Sequence, residues 1–187
     1  MTDLRRKLNS LSGGFITTII VDSPLYLQTS IDVLKMLVDE RKLSGVYVTV
    51  NRPYSNIETM LQTNEVDLSK LFFIDAVTNM AVQASNRTEN CLYVASPESL
   101  TDISIALDQV IHEEPQKNFI FFDSLSALLI YNNIDTTSRY LHMLTVKMRI
   151  LKVQIILISL EKETDEKLKS RLTQFSDNLI TVENGGE

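Results

Sequence analysis

Residues Ile19–Ser30, IIVDSPLYLQTS, mark the point where an apolar strand passes into an amphipathic helix. The run that leads into this point, FITTIIVD (Phe15–Asp22), is apolar and rich in β-branched residues, which predicts a strand covered on both faces. After a short turn, apolar residues recur at helical spacing as far as Arg41. Turns between a strand and a helix often bind phosphate, so the residues of this turn bear directly on function.

The alternation of strand and helix continues along the whole chain. Six further strands are predicted, at Val46–Val50, Leu71–Val77, Cys91–Ser96, Asn118–Asp123, Val153–Leu160 and Asn178–Glu183. Strands that alternate with helices of this length specify a parallel sheet with helices on both of its faces. We therefore predict an α/β fold, a three-layer sandwich around one mainly parallel sheet, in which the strands Phe15–Asp22 and Asn118–Asp123 are central and adjacent.

Length, charge and cysteine content set the broad class of the protein. The chain has 187 residues, which predicts one domain over 1–187 with an N-terminal helical extension at 1–12 and a loose tail at 184–187. A net charge of −6 disfavours nucleic acid as a partner. Cys91 is the single cysteine, which excludes an internal disulfide and favours a reducing compartment. We find no signal-peptide pattern and no apolar run of membrane-spanning length, so we expect a cytoplasmic protein without a membrane partner.

The turn after the first strand has the length of a phosphate-binding loop but almost none of its residues. In the template G-x-x-x-x-G-K-[ST], backbone N–H groups surround the phosphate, the lysine neutralises it and the hydroxyl holds magnesium. Asp22 and Leu27 stand in the two glycine positions, Gln28 stands in the lysine position, and Thr29 alone fits, in the hydroxyl position. Pro24 also removes an N–H donor. Each of these replacements lowers the affinity for phosphate.

An ordinary capped turn explains the same residues. Ser23 is a good N-cap, Pro24 is suited to the first helical position, and Leu27 would begin the buried face of the helix. The dipeptide recurs as Ser96-Pro97, where nothing indicates chemistry. Both interpretations place a turn here, and they differ in whether it ever binds a ligand.

Polar side chains follow several predicted strands, and the carboxyl ends of parallel strands meet at the edge where ligands bind in open α/β sheets. We predict that these side chains line a vestigial ligand pocket with no catalytic residue and no metal site. Its members are Asp22, Ser23, Gln28, Thr29, Ser30, Asn51, Arg52, Asp123 and Ser124. Within it, we expect Arg52 to form an ion pair with Asp22 or Asp123, since neighbouring carboxylates would otherwise repel each other.

Three segments together resemble the RecA-like ATPases of the KaiC type. They are GVYVTVNRPYSNIETML (45–61), VDLSKLFFIDAVTN (66–79) and NFIFFDSLSALLIYNN (118–133). The resemblance runs from about Phe15 to Val182 and implies a RecA-like sheet. It also implies that Asp123 stands in the Walker B position and Thr29 in the position of the magnesium-side hydroxyl.

The resemblance further implies that Asn51 and Arg52 stand where such ATPases carry the glutamates that polarise the attacking water. An amide cannot accept a proton as a carboxylate can, and arginine reverses the charge. We therefore predict a degenerate RecA/KaiC-like domain, a pseudo-ATPase that acts as a regulatory or assembly module, binds no cofactor and associates with itself or with a related KaiC-like protein. Two alternatives remain: an ATPase or switch that binds ATP and magnesium through Thr29 and Asp123, and a binding domain for another small ligand in the same crevice.

Overall fold

The computed structural model describes residues 2–9, 14–82, 86–164 and 166–184. Within these residues the chain forms a single sheet of seven strands, each at or inside one of the predicted runs apart from one- or two-residue shifts at the ends. The strands are β1 (Ile16–Val21), β2 (Ser44–Thr49), β3 (Leu71–Asp75), β4 (Cys91–Tyr93), β5 (Lys117–Asp123), β6 (Gln154–Leu160) and β7 (Asn178–Val182).

Helices connect most consecutive strands. They are α1 (Thr2–Asn9), α2 (Tyr26–Lys35), α3 (Tyr54–Thr63), α4 (Thr78–Ala81), α5 (Leu100–Glu113), α6 (Leu125–Tyr131), α7 (Ile134–Leu151) and α8 (Glu166–Phe175). A 3₁₀ turn, Ser23–Leu25, precedes α2, and a π-helical turn, Met36–Glu40, extends it. No helix in the described part of the chain is long and apolar enough to span a membrane.

The strand order is β4-β3-β2-β5-β6-β1-β7, and every pairing between these strands is parallel. Both β1 and β5 are interior strands, as predicted, but they are not adjacent, because β6 lies between them. The prediction of adjacency was wrong for a physical reason. An unbroken apolar run shows that both faces of a strand are covered, and it carries no information on which strand lies beside it.

Buried side chains alternate between the two faces of the sheet, as the period of a strand requires. On β5, Ile120 and Phe122 pack with α5, α6, α7 and α8, whereas Phe119 and Phe121 pack with α1, α2 and α3. The predicted three-layer α/β sandwich, with helices on both faces of the sheet, is therefore confirmed, and the sheet is parallel throughout.

One glycine is required by packing inside the sheet. Gly45 on β2 pairs with Phe119 on β5, and the Phe119 ring occupies the space that a side chain at position 45 would need. A Cβ atom there would lie 2.4 Å from two of the ring carbons. The glycine thus makes room for an aromatic side chain on the face of the sheet that α1, α2 and α3 cover, which we call the α1–α3 face.

Both predicted terminal segments lie partly outside the described residues. In the part of the 1–12 extension that is described, α1 buries Leu4 and Leu8 against the α1–α3 face. Of the predicted tail at 184–187, only Asn184 is described, and its N–H donates a hydrogen bond to Asp22 Oδ2 at 2.9 Å.

Candidate functional site

The sheet places its crevice where the connections leave in opposite directions. The chain leaves β1 through α2 and goes to β2, and it leaves β6 through α8 and goes to β7. Because β1 and β6 are neighbours while α2 and α8 cover opposite faces, their carboxyl ends form the topological switch point at which open α/β sheets bind ligands. The candidate residues follow the strands around this point.

Asp123 is buried at the end of β5, with 2% of its surface exposed. Strand alternation turns its carboxylate to the same face as Phe119 and Phe121. There the Tyr26 hydroxyl donates a hydrogen bond to Oδ1 and the Tyr47 hydroxyl donates one to Oδ2. Both oxygens of the Asp123 carboxylate therefore have a partner from within the chain.

Burial sets the electrostatics of this cluster. Loss of solvent raises the pKa of Asp123 from 3.8 to about 7, and it also raises the pKa of the Tyr47 hydroxyl above its usual value. The two hydroxyl donors favour the charged carboxylate and work against the effect of burial. Among the described residues, no lysine, arginine or histidine forms an ion pair with Asp123. The carboxylate is held by neutral donors.

Tyr26 lies against Asp123 at the start of α2. It is the first residue of α2, directly after the 3₁₀ turn, and its backbone carbonyl accepts a hydrogen bond of 2.9 Å from Ser30 Oγ. The Arg52 guanidinium lies over the Tyr26 ring, with Cζ 5.9 Å from the ring centroid. From Asp123 outward, the crevice is thus filled by a phenol ring and capped by an arginine.

The turn itself differs from the predicted capped turn. Asp22 takes the N-cap position of the 3₁₀ turn, and Ser23 and Pro24 lie inside that turn. Leu27 is 40% exposed, so the expectation that it begins the buried face was wrong. The buried face begins instead at Tyr26, whose hydroxyl satisfies Asp123. Apolar periodicity found the later part of this face, where Ile31 and Leu34 are buried, and missed its start because the side chains there carry hydroxyl groups.

Asp22 makes its contacts with Asn184 and Glu161 and not with Asp123. Its Oδ2 accepts the Asn184 N–H, and this bond, together with a side-chain hydrogen bond from Glu161, holds the pKa of Asp22 below its usual value. The hydrogen bond between Asp22 and Glu161 also raises the pKa of Glu161. Since β6 separates the two strands, Asp22 and Asp123 are not neighbours. The predicted ion pair of Arg52 with either carboxylate is absent from the described residues, and Arg52 packs on Tyr26 instead.

The other predicted pocket residues are scattered. Gln28 is exposed and donates a hydrogen bond of 3.1 Å to Asp32 on its own helix. Ser124 caps α6, with its Oγ accepting the Ala127 N–H at 3.3 Å. Thr29 is buried, and Asn51 is exposed. The structure therefore brings Arg52 and Asp123 together around Tyr26 and does not bring the rest of the set into one pocket.

Three residues that matter here were missed by the sequence analysis. Tyr26 and Tyr47 supply the donors to Asp123, in place of the ion pair with Arg52 that the sequence analysis predicted. Tyr47 shares its face with Asp123 by strand alternation, which is the one signal that pointed to it.

The third missed residue is Asp75, a second carboxylate that ends an apolar strand. Its side chain accepts backbone N–H groups from Tyr54 at 2.7 Å, Val77 at 2.7 Å and Thr78 at 2.9 Å. It thereby fixes the start of α3 and the turn after β3. Asp75 is buried and serves the fold, although its sequence pattern is the same as that of Asp123.

Comparison with protein families shows which family the chain is related to. Residues 27–182 match a family of unknown function, DUF7504. The chain belongs to the DUF7504 family. The match begins at Leu27, so it includes Tyr47, Arg52 and Asp123 and starts just after Tyr26. A comparison with curated proteins gave no match.

The DUF7504 site has limited chemical capacity in this conformation. A divalent cation at Asp123 would have to displace at least one of the two tyrosine hydroxyls, because the carboxylate is buried beneath them. Across the described ranges, no group of three or more His, Cys, Asp or Glu side chains is arranged to hold a metal ion. Asn51 and Arg52 offer no carboxylate to activate water.

Proposed function

We propose that this DUF7504 chain is a degenerate relative of the RecA/KaiC-type ATPases, a pseudo-ATPase that acts as a regulatory or assembly module. The observation that carries the proposal is the hydrogen bond from Tyr26 to Asp123. It joins the turn that replaces the phosphate-binding loop to the carboxylate that such an ATPase would use to hold magnesium. The chain itself fills the space between them.

The residues around this contact support loss of catalysis. Gln28, in the lysine position, is exposed and bonded to its own helix. Arg52 lies over Tyr26 and brings a positive charge where a general base would carry a negative one. Losing one donor to a transition state costs a factor of about 10²–10³ in rate, and here the cradle, the cation and the base are all replaced.

Aromatic packing supports a closed pocket. The Tyr47 ring lies 5.2 Å from the Phe121 ring and 5.7 Å from the Phe73 ring, measured between centroids. Opening the crevice would leave the Asp123 carboxylate and the Tyr26 hydroxyl without their mutual bond, and an unsatisfied buried polar group costs about 1–3 kcal/mol. The binding free energy of a ligand in the crevice would have to offset at least this cost.

The proposal includes association with another copy of the chain or with a related KaiC-like protein. It also includes a cytoplasmic location, which is supported by the single cysteine, Cys91, and its burial as a free thiol. The association follows from the resemblance to KaiC-type ATPases, and the location follows from the composition of the chain.

A second candidate is a nucleotide-dependent switch in which ATP and magnesium displace Tyr26. One observation favours it. Thr29 follows Tyr26 by three residues on the same buried face of α2, so an outward rotation of Tyr26 would open a path to both Thr29 and Asp123. Arg52 at the mouth of the crevice would then meet the phosphates.

Thermal unfolding with and without magnesium–ATP separates the two candidates. For the pseudo-ATPase we expect no nucleotide-induced change in Tm and no phosphate release above a heat-inactivated sample. For the switch, ligand at a hundredfold excess over Kd would add about 2.7 kcal/mol of stability. A shift in the wild type that Asp123→Asn abolishes would overturn the pseudo-ATPase and support the switch.

A further inference from the structure

Helices α7 and α8 lie on the face of the sheet opposite Tyr26, and a cleft of about 370 Å³ opens between them. The two helices lead into β6 and β7, which are both parallel to β1, so they run in the same direction. Most side chains that line the cleft can donate hydrogen bonds. The donors are Ser138, Arg139 and His142 on α7 and Arg171 and Gln174 on α8. We refer to it as the α7–α8 cleft.

The α7–α8 cleft is basic, although the chain as a whole carries a net charge of −6. Arg139 is exposed and forms no ion pair with any residue that the structure describes. Arg171 pairs with Asp135 on α7 through Nη2, and Lys167 lies 3.9 Å from the same carboxylate. A guanidinium has five N–H donors, so this pair leaves others for a ligand. No described Asp or Glu lines the cleft, which therefore suits an anion.

A buried hydroxyl in the wall of the cleft also lacks a partner. Ser138 is 6% exposed, and its Oγ is buried and makes no hydrogen bond within the described residues. Buried polar groups normally have a partner, and a serine inside a helix often bonds the carbonyl one turn earlier. Because Ser138 lines the cleft, rotation about its Cα–Cβ bond lets the hydroxyl reach an oxygen of a bound ligand.

These donors suit a phosphate group better than a carboxylate. One guanidinium satisfies both oxygens of a planar carboxylate, whereas guanidinium groups on two helices can each bind a different pair of oxygens on a tetrahedral phosphate. A water molecule takes about 30 Å³ of liquid volume, so a cleft of about 370 Å³ has room for a phosphate group and an organic substituent. The rings of His142 and Phe175, with centroids 6.4 Å apart, form an aromatic wall for that substituent.

We propose that the α7–α8 cleft binds a phosphate monoester. Arg139 and Arg171 hold the phosphate oxygens, the Ser138 hydroxyl donates to one of them, and the aromatic wall packs on the organic substituent. This site goes beyond the proposed function, because it lies on the face of the sheet opposite the Tyr26–Asp123 crevice. The two proposals can therefore fail separately.

Isothermal titration calorimetry of the full chain with phenyl phosphate, inorganic phosphate and acetate, at equal ionic strength, tests the site. We expect phenyl phosphate to bind more tightly than inorganic phosphate, and acetate to bind more weakly than either. Arg139→Gln and Arg171→Gln should each raise the Kd for phenyl phosphate about tenfold or more, because each removes a charged donor. Arg5→Gln is the matched control, since it removes the same charge from an exposed position on α1, on the other face of the sheet. Circular dichroism of each variant confirms that it is folded.

Ser138→Ala tests the hydroxyl. It should raise the Kd for phenyl phosphate without lowering the Tm of the ligand-free protein, because the group that it removes has no partner there.

The proposal is overturned if the wild type does not bind phenyl phosphate at millimolar concentration or if acetate binds equally well. Affinity that Arg139→Gln leaves unchanged, or that Arg5→Gln lowers as much, overturns it too. Binding of inorganic phosphate as tight as that of phenyl phosphate overturns the assignment to an ester. A magnesium–ATP signal that Asp123→Asn abolishes would instead overturn the pseudo-ATPase and leave the α7–α8 cleft standing.

Discussion

The Tyr26 hydroxyl donates a hydrogen bond to the Asp123 carboxylate across a separation of 97 residues. The bond connects the turn after β1 with the end of β5, two strands that are not neighbours in the sheet. Since Tyr26 is the first residue of α2, the bond fixes the start of that helix against the end of β5 and closes the crevice between them.

Removing the Tyr26 hydroxyl should destabilise the fold. In Tyr26→Phe the ring still fills the crevice, but Asp123 loses one of its two donors, so we expect a loss of about 1–3 kcal/mol in the free energy of unfolding. Urea unfolding at pH 7.5 measures it. Tyr131→Phe, at a partly exposed position, is the control and should change little. Equal stability of Tyr26→Phe and wild type would show that the bond is not formed in solution.

The stability of the protein should fall as the pH rises from about 4 to 7. Burial raises the pKa of folded Asp123 to about 7, so between the unfolded and folded pKa values the folded state holds a proton that the unfolded state has lost. The contribution is fully present below pH 4 and is lost as the pH passes 7. Its upper limit is about 4 kcal/mol, and the hydroxyl donors to Asp123 reduce it.

Asp123→Asn isolates this contribution from those of other groups. The amide cannot ionise, and it can accept a hydrogen bond from one tyrosine and donate one to the other. We expect its stability at pH 7 to equal or slightly exceed that of the wild type and its dependence on pH between 4 and 7 to be flatter. Parallel pH profiles for the two proteins would contradict the raised pKa.

Truncating Arg52 should lower the free energy of unfolding by less than breaking a buried ion pair would. Its guanidinium packs on the Tyr26 ring and makes no ion pair within the described residues, so we expect Arg52→Ala to lose about 0.5–1 kcal/mol. Asn51→Ala, at the exposed neighbouring position, is the matched control. Because a cation–π contact is only moderately sensitive to salt, the loss should persist at high ionic strength. A loss that salt abolishes would instead indicate an ion pair.

Gly45→Ala should be strongly destabilising although it adds only one methyl group. The new Cβ would lie 2.4 Å from the Phe119 ring, which is fully buried in the α1–α3 face, and overpacking of this kind costs about 1–3 kcal/mol. Phe119→Leu should recover part of this loss in the double variant by making room for the methyl group. A double-mutant cycle by chemical unfolding measures the recovery. Additive effects of the two changes would show that the clash is relieved elsewhere.

The fold class could be predicted because its signals are local. Apolar runs located all seven strands, and their alternation with helical patterns specified a parallel sheet. The strand ends were less predictable. The run Leu71–Val77 is longer than β3, which ends at Asp75 because that side chain accepts the N–H groups of Val77 and Thr78 and turns the chain.

By itself, the sequence determined that the loop after β1 lacks the glycines and the lysine of a phosphate site and that Asp123 ends a buried strand at the ligand edge. Only the tertiary structure decided what that carboxylate contacts. Its partners Tyr26 and Tyr47 lie 97 and 76 residues away, and a phenol on an apolar face has the same pattern whether its hydroxyl meets solvent or a buried acid. Strand order determines whether a tyrosine hydroxyl meets solvent or a buried acid. It is a property of long-range packing that no local pattern encodes.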